Sequence, residues 1–143
     1  MKVLVTGATG FIGVPLLEKL NRKGHQVLAL SRSAQTKRGN GIEWLSCDLA
    51  SPESYVNKVK EFSPEVLIYL AWQDIPNFSL EKSRINLDQS LDLISFVIGL
   101  ATCKKIIVSG SCFELNQLQG ECSESTQGEA RDHFTWAKHA LYY

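Results

Sequence analysis

The sequence predicts an α/β fold, a doubly wound parallel sheet of about five strands with helices on both faces. Three observations lead to this prediction. Short apolar segments alternate along the chain with segments of helical periodicity. The strand-like segments are almost entirely apolar, as in sheets that are covered on both sides. A glycine-rich stretch, TGATGFIG, joins the first predicted strand to the first predicted helix.

The first part of the chain supplies three predicted strands and two predicted helices. Apolar runs predict strands over 2–6, 25–30 and 42–46. A helix is predicted over 11–23, because four apolar residues fall on one of its faces: Ile12, Leu16, Leu17 and Leu20. Pro15 suits its first turn and Gly24 ends it. A second helix is predicted over 52–62, with Ser51 as its N-cap.

The second part of the chain continues the alternation. Strands are predicted over 66–71 and 105–109. Between them a long helix over 79–101 is predicted from one apolar face: Leu80, Leu87, Leu91, Ile94, Ile98 and Ala101. A last helix is predicted over 132–141, after a polar loop over 116–129. No repeat or second domain is evident, so residues 1–143 are interpreted as one domain.

Composition excludes several classes of function. The 143 residues carry a formal net charge of zero, and 44% are hydrophobic, which is typical of a globular domain. No general electric field attracts nucleic acid or an acidic membrane, and the short basic pairs Lys37–Arg38 and Lys104–Lys105 are interpreted as solvated surface. Glycines interrupt any N-terminal signal, and no window reaches the ~20 apolar residues of a membrane span, so we expect a cytoplasmic protein.

The cysteines do not indicate a metal site. They lack the close paired spacing of zinc ligands, and they are expected to be reduced thiols rather than a disulfide framework: Cys47, Cys103, Cys112 and Cys122. The sequence therefore predicts no bound metal.

The glycine stretch has two alternative roles. Gly7, Gly10 and Gly13 could simply allow a tight turn between strand and helix, as they would in any such connection. In a dinucleotide-binding unit the first glycine permits the turn, the second lets backbone approach a pyrophosphate, and the third allows close packing of helix on strand. The uncapped N–H groups of the helix then hold the anion. The position between first strand and first helix favours this second role.

TGATGFIG resembles the fingerprint of the extended short-chain dehydrogenase/reductase family, which includes NAD-dependent epimerases and dehydratases of nucleotide sugars. The resemblance runs the length of the chain. It implies a Rossmann-type fold that binds a nicotinamide dinucleotide, with a first set of cofactor-binding residues in the turn: Gly7, Thr9, Gly10, Phe11, Ile12 and Gly13.

Other segments are similar to later parts of the family pattern. The resemblance places Asp48 and Leu49 near the adenine, and Leu70 and Ala71 near the nicotinamide ribose, although Tyr69 stands where the family often has histidine. Asn86 matches an asparagine of the long helix, and the segment 109–114, with Ser111, matches the serine segment. Ordinary alternatives remain: Asp48 as a turn residue or helix cap, Asn86 as a polar residue on a helix face and Ser111 as a loop hydroxyl.

The segment after the second strand bears on the choice of cofactor. A protein built for NAD usually places an acidic residue there, whereas this chain has Ser31 and Arg32. Arginine can pair with a 2′-phosphate through two hydrogen bonds, so we expect NADP, with NAD as the alternative. The other interpretation is a solvated basic loop that contains Arg32, Lys37 and Arg38.

The catalytic pattern is incomplete. The resemblance implies a Tyr-x-x-x-Lys pair with a serine, and Lys138 and Ser111 are present, but Phe134 stands at the tyrosine position. Phenylalanine has no proton to transfer, and loss of a positioned acid or base typically removes ~100 to 10,000-fold of rate. The other titratable groups nearby all lack the required spacing to Lys138: His133, His139, Tyr142 and Tyr143. His133 is still kept as an alternative base, the other interpretation being a surface residue at the start of the helix.

Family members continue beyond the helix that carries this pattern, so the chain resembles the family truncated after the catalytic helix and lacking the C-terminal substrate region. The expected function is an NAD(P)-binding domain of a nucleotide-sugar epimerase, dehydratase or reductase, impaired by Phe134. The alternative is an inactive module that binds a nicotinamide nucleotide or a protein partner. A sheet that ends at its fifth strand would leave apolar surface uncovered, which suggests a homodimer.

Overall fold

The computed structural model describes residues 1–33, 41–115, 121–123, 125–126 and 128–141. Their elements follow in chain order: β1 (Lys2–Thr6), α1 (Gly13–Arg22), β2 (Gln26–Ser31), β3 (Ile42–Ser46), α2 (Val56–Phe62), β4 (Val66–Tyr69), α3 (Leu80–Ile98), β5 (Lys105–Val108) and α4 (His133–His139). The order and type of the predicted strands and helices are confirmed. Most ends differ from the prediction by one to three residues.

The five strands form one parallel sheet in the order β3-β2-β1-β4-β5. β1 lies at the centre, with β2 on one side and β4 on the other. After β1 the chain adds β2 and β3 on one side of the sheet, and it then crosses back to add β4 and β5 on the other side. This reversal between β1 and β4 is the point at which ligands bind in sheets of this kind, beyond the carboxyl ends of the strands. The predicted Rossmann-type fold is confirmed.

Two apolar clusters cover the two faces of the sheet, because successive side chains of a strand point to opposite sides. Val3, Val5 and Leu17 belong to one cluster, and α1 packs there. Leu4 belongs to the other cluster, together with residues of α2 and the end of α3 such as Val59 and Val97. The central strands are buried on both faces, as predicted, whereas the edge strands β3 and β5 are only partly covered.

The chain divides into two compact units. The sheet unit comprises Met1–Ala71 and Asp92–Val108, and the α4 unit comprises Trp72–Leu91 and Ser109–Tyr143. The interpretation of residues 1–143 as one folding domain stays a prediction. None of the helices in the described part of the chain is long and apolar enough to span a membrane.

The predicted helix over 52–62 is wrong in its first half. Pro52–Ser54 form a turn of 3₁₀-helix, and α2 begins only at Val56. The side chain of Ser51 makes no capping hydrogen bond. The break falls at Tyr55, whose ring is buried in the core and whose φ of −130° lies outside the helical range. Burial of this aromatic ring outweighs the local preference for a continuous helix.

The predicted apolar face of the long helix is wrong in part. Leu87 is buried and Ile94 packs against the core, as predicted, but Leu80, Leu91 and Ile98 are exposed, at 53%, 41% and 64%. The buried positions of α3 are Ser83, Asn86, Leu87, Ser90, Leu93 and Val97. Half of them are polar, so apolar residues alone identify the buried side of the helix only in part.

Candidate functional site

The glycine turn requires glycine at two of its three positions. Gly7 has φ +64°, and a Cβ there would lie 2.9 Å from the amide nitrogen of Ala71. A Cβ on Gly13 would lie 2.3 Å from the Gly7 carbonyl oxygen and 2.7 Å from that of Ala8. Gly10 donates its N–H to the Gly7 carbonyl at 3.0 Å. The turn is therefore folded tightly upon itself and against the end of β4.

The N-terminus of α1 suits an anion. Ile12 stands at the N-cap and provides no side-chain acceptor, and the first turn contains no acidic residue. The Val14 N–H already donates to the Gly10 carbonyl at 3.1 Å and Pro15 has no N–H, so what this helix start offers an anion is mainly the partial positive charge of its N-terminus. Phe11 and Ile12 are exposed, at 97% and 58%, so the predicted apolar helix face does not include Ile12. Thr9 is exposed beside them.

The carboxyl ends of β1 and β4 are joined by one hydroxyl. The Oγ1 atom of Thr6, which is fully buried, accepts the N–H groups of Leu70 and Ala71, each at 3.1 Å. These two residues consequently leave the strand ladder, and β4 ends at Tyr69 rather than at the predicted residue 71. Leu70 and Ala71 thus contact the glycine turn directly, as the Gly7 geometry shows.

Arg32 and Asp48 follow the ends of β2 and β3 at the same edge of the sheet. Both side chains are exposed, and the neighbouring Leu49 is partly buried. The Asp48 carboxylate accepts the Ala50 N–H at 2.9 Å, and its backbone carbonyl accepts from the Ser54 hydroxyl at 2.9 Å. Asp48 is therefore a turn residue, and its role at the adenine stays a prediction. Lys37 and Arg38 lie outside the described residues.

Lys138 is a charged residue of the α4 unit whose side chain is buried. Its side chain is only 5% exposed. The Nζ atom donates a hydrogen bond to the Ser109 carbonyl at 2.9 Å and lies 4.1 Å from the centre of the Trp72 ring. Burial lowers the pKa of Lys138 from 10.5 to about 8, and the negative charge of Glu114 opposes this change.

Phe134, which the sequence resemblance assigns to the family's tyrosine position, is a buried apolar ring, and that assignment stays a prediction. It is 4% exposed and packs edge-on against Trp72, with the ring centres 5.4 Å apart. The ring of Phe78 lies 4.7 Å from it, and the Lys138 Nζ lies 6.0 Å from its centre. The phenyl ring thus occupies the predicted place, one helical turn before Lys138, within an aromatic cluster.

Ser111 begins the 3₁₀ turn Cys112–Glu114. Its Oγ accepts the Phe113 N–H at 3.3 Å, and its own N–H donates to the Glu114 carboxylate. The arrangement is a reciprocal capping box. Sequence reasoning did not single out Glu114, although the Ser-x-x-Glu spacing is the known signature of this motif.

Asn86 anchors the segment that carries Trp72. Its Oδ1 accepts the Gln73 N–H at 2.8 Å, while Nδ2 donates to the carbonyls of Gln73 and Lys82. Asn86 is a buried polar residue on one face of α3, and its functional role stays a prediction. In the sequence Trp72 only follows the segment at the end of β4. Its contact with Lys138 depends on side-chain geometry that no spacing rule provides.

The remaining candidates have other surroundings. His133 is exposed at the start of α4, after the N-cap Asp132. His139 contacts the backbone carbonyl of Glu114 through Nε2 at 3.1 Å. Tyr142 and Tyr143 lie outside the described residues. Within the described ranges no group of three His, Cys, Asp or Glu side chains is placed to hold a metal ion.

Within the sheet unit, the residues present fit the phosphates of a dinucleotide. The sheet unit brings together the glycine turn, the uncapped α1 and the Leu70–Ala71 backbone. The α4 unit brings together Lys138, Phe134 and the Ser109–Glu114 segment. The individual roles of these residues in cofactor binding or catalysis stay predictions.

Residues 3–142 match the model of the NAD dependent epimerase/dehydratase family. The chain is 28% identical over 147 residues to the dTDP-6-deoxy-L-talose 4-dehydrogenase (NAD(+)) of Aggregatibacter actinomycetemcomitans, across 99% of this chain and 53% of that protein.

Two solved UDP-glucose 4-epimerases share the fold. The enzyme of Thermus thermophilus, in complex with NAD, has a TM-score of 0.80 at 24% identity, over 99% of this chain and 49% of that one. The enzyme of Thermotoga maritima, with UDP-glucose, has a TM-score of 0.80 at 21% identity, over 99% and 50%. The chain thus spans about half the length of these relatives.

The packing of the turn predicts unequal effects of two identical substitutions. Gly13→Ala places a methyl group 2.3 Å from the Gly7 carbonyl and should lower the free energy of unfolding by about 1–3 kcal/mol or more. Gly10→Ala is the matched control, because among the described residues its Cβ meets the Gly7 carbonyl alone, at 3.2 Å. Urea unfolding followed by tryptophan fluorescence measures both. Equal destabilisation would contradict the packing role of Gly13.

Proposed function

Because the chain belongs to the NAD-dependent epimerase/dehydratase family, we propose that it is the dinucleotide-binding part of a protein that transfers hydride between a nicotinamide cofactor and a nucleotide sugar. The observation that carries this proposal is the uncapped start of α1 beside a glycine turn with no room for side chains at Gly7 and Gly13. A turn that served only as a connection would tolerate an ordinary cap.

The relatives support the class of substrate. They are a dTDP-sugar dehydrogenase and epimerases solved with NAD or UDP-glucose. The specific sugar and nucleotide are left open, since the relatives extend over about twice the length of this chain. We propose a cytoplasmic location, as expected from the sequence analysis.

Arg32 is the basis for proposing NADP rather than NAD. It is exposed directly after β2, at the edge of the sheet where Gly7 follows the end of β1. A guanidinium group can form two charge-assisted hydrogen bonds with a 2′-phosphate. NAD lacks this phosphate, so only NADP would gain from the contact.

We expect NADPH to bind more tightly than NADH, and Arg32→Ala to weaken NADPH binding about tenfold or more while leaving NADH binding nearly unchanged. Parallel titrations that follow nicotinamide fluorescence measure this. Arg84→Ala is the control, because Arg84 is an exposed arginine of α3 that pairs with Asp88 at 3.8 Å. Equal affinities for the two cofactors would contradict the role of Arg32. Absence of binding by either would favour an interaction module instead.

In the proposed reaction the nicotinamide, when bound, supplies or accepts the hydride. Lys138 would hold the ribose hydroxyls through its Nζ protons, and Ser111 would orient the sugar oxygen with its hydroxyl proton. Phe134 can position neither a proton nor a hydrogen bond. Proton transfer at the sugar oxygen is therefore the step that this chain lacks, and we propose that turnover is impaired for that reason.

Restoring the hydroxyl tests this proposal. Phe134→Tyr should raise the rate of hydride transfer with UDP-glucose and dTDP-glucose at least about 100-fold over the native chain, because a positioned acid contributes about that much. Absorbance at 340 nm measures the rate. The double variant Phe134→Tyr with Lys138→Met should lose the gain. Equal rates for the native chain and the single variant, including none in either, would contradict the view that Phe134 is what limits turnover.

The second candidate function is an inactive module that binds a nicotinamide nucleotide or a protein partner. Phe134 favours it, because the aromatic cluster around that ring has the packing of a core rather than of a reaction site. Ile107 in the edge strand β5 and Ile98 at the end of α3 are exposed apolar residues, which is consistent with a homodimer, and we propose a second copy of the chain as the simplest partner. Sedimentation velocity tests this, and a monomer at high concentration would contradict it.

A further inference from the structure

We propose that Glu114 is a positioning residue that orients Ser111 and maintains the charged environment of Lys138. The inference rests on the proposed function, in which Ser111 and Lys138 serve the substrate and the cofactor. It assigns a role to a carboxylate that belongs neither to the glycine turn nor to the family's catalytic pattern.

The first argument is the burial of Glu114. Its residue is only 6% exposed, although it closes a helical turn of just three residues. Capping boxes usually place their acidic side chain at a solvated helix start, where it costs little. A buried carboxylate loses its hydration and is stable only with compensating partners. Capping a turn of three residues stabilises the fold too little to offset the burial of a carboxylate.

The second argument is that both the side chain and the backbone of Glu114 are held. The carboxylate accepts the Ser111 N–H, so the serine backbone cannot rotate freely. The Glu114 carbonyl accepts from the Glu129 N–H at 2.8 Å and contacts His139 Nε2 at 3.1 Å. The His139 ring lies close against Gly128, where a Cβ would be 2.3 Å from its Cε1.

These contacts tie the serine segment to α4 at adjacent positions. Lys138 reaches the Ser109 carbonyl, and His139 reaches the Glu114 carbonyl. Two consecutive side chains of α4, Lys138 and His139, thus bind the two ends of the segment that contains Ser111. Glu114 lies at the end of that segment, and its carboxylate accepts the Ser111 N–H.

The third argument is electrostatic. Glu114 is the group whose charge raises the pKa of Lys138 against the effect of burial. Four other acidic groups of the α4 unit are engaged elsewhere: Asp132 accepts the Thr135 N–H, Glu129 pairs with Arg131, Asp74 with Lys82 and Asp88 with Arg84. Glu81 and Glu121 are exposed. His139 is engaged with the Glu114 carbonyl and His133 is exposed. Glu114 is therefore placed to keep Lys138 protonated.

Two variants of the full chain separate the two roles. Glu114→Gln keeps an oxygen that accepts the Ser111 N–H but removes the charge, so the titration midpoint of Lys138 should move to lower pH while the Ser111 amide exchanges at the native rate. Glu114→Ala removes both, so the Lys138 midpoint should fall and Ser111 exchange should accelerate about tenfold or more. Nitrogen NMR of the Lys138 Nζ, assigned with Lys138→Met, and amide hydrogen exchange give these readouts.

Glu129→Gln is the matched control, because it neutralises an exposed glutamate of the same unit. It should change neither readout. The proposal would be overturned by an unchanged Lys138 midpoint in Glu114→Gln, by an equal shift in Glu129→Gln, or by native Ser111 exchange in Glu114→Ala. Glu114→Gln is nearly isosteric, so the test stands even where Glu114→Ala does not fold.

Neither readout needs a cofactor, which separates this proposal from the proposed function. If the native chain binds no NADPH but the Lys138 midpoint still responds to Glu114→Gln, the positioning role holds and the dinucleotide proposal fails. If NADPH binds while both Glu114 readouts stay native, the dinucleotide proposal holds and the positioning role fails.

Discussion

The sheet unit depends on one close backbone approach, between the glycine turn and the ends of β1 and β4. A Cβ at Gly7 or Gly13 would clash with neighbouring backbone atoms. The N–H groups of Leu70 and Ala71 donate to the Thr6 hydroxyl instead of to a neighbouring strand. Because of both features, the start of α1 lies close to the carboxyl ends of β1 and β4. Because β1 lies where the strand order reverses, this constraint also leaves the uncapped helix start at the edge where a ligand is expected.

The glycine turn and the central strands could be predicted from sequence because their causes are local. Continuous apolar residues identify β1, β2 and β4, and three glycines at fixed spacing identify the turn. The buried face of α3 could not be predicted in the same way. Asn86 and Ser90 are buried because their polar groups find backbone partners, and Asn86 does so partly through Gln73, 13 residues earlier. No periodicity of apolar residues reveals that contact.

The candidate site shows the same division. The positions of Lys138 and Phe134 follow from a four-residue spacing on α4, so both could be found by pattern. The rings that surround them could not, since Trp72 and Phe78 reach Phe134 from a segment that is distant in sequence. Glu114 lies between these cases: its spacing from Ser111 is visible in the sequence, but its burial, which makes it significant, is a property of the folded unit.

The cost of holding Lys138 bears on the choice between enzyme and interaction module. A lysine whose pKa is lowered from 10.5 to about 8 destabilises the folded state, on the order of 3 kcal/mol below pH 8. The unfolded chain keeps the proton up to its higher pKa, so this contribution disappears as the pH rises from about 8 to about 10.5. A module that needed only the aromatic cluster would be more stable with an apolar residue at this position. The buried ammonium group, which donates to the Ser109 carbonyl and lies over the Trp72 ring, therefore lowers stability below pH 8, and packing alone does not account for a lysine at this position.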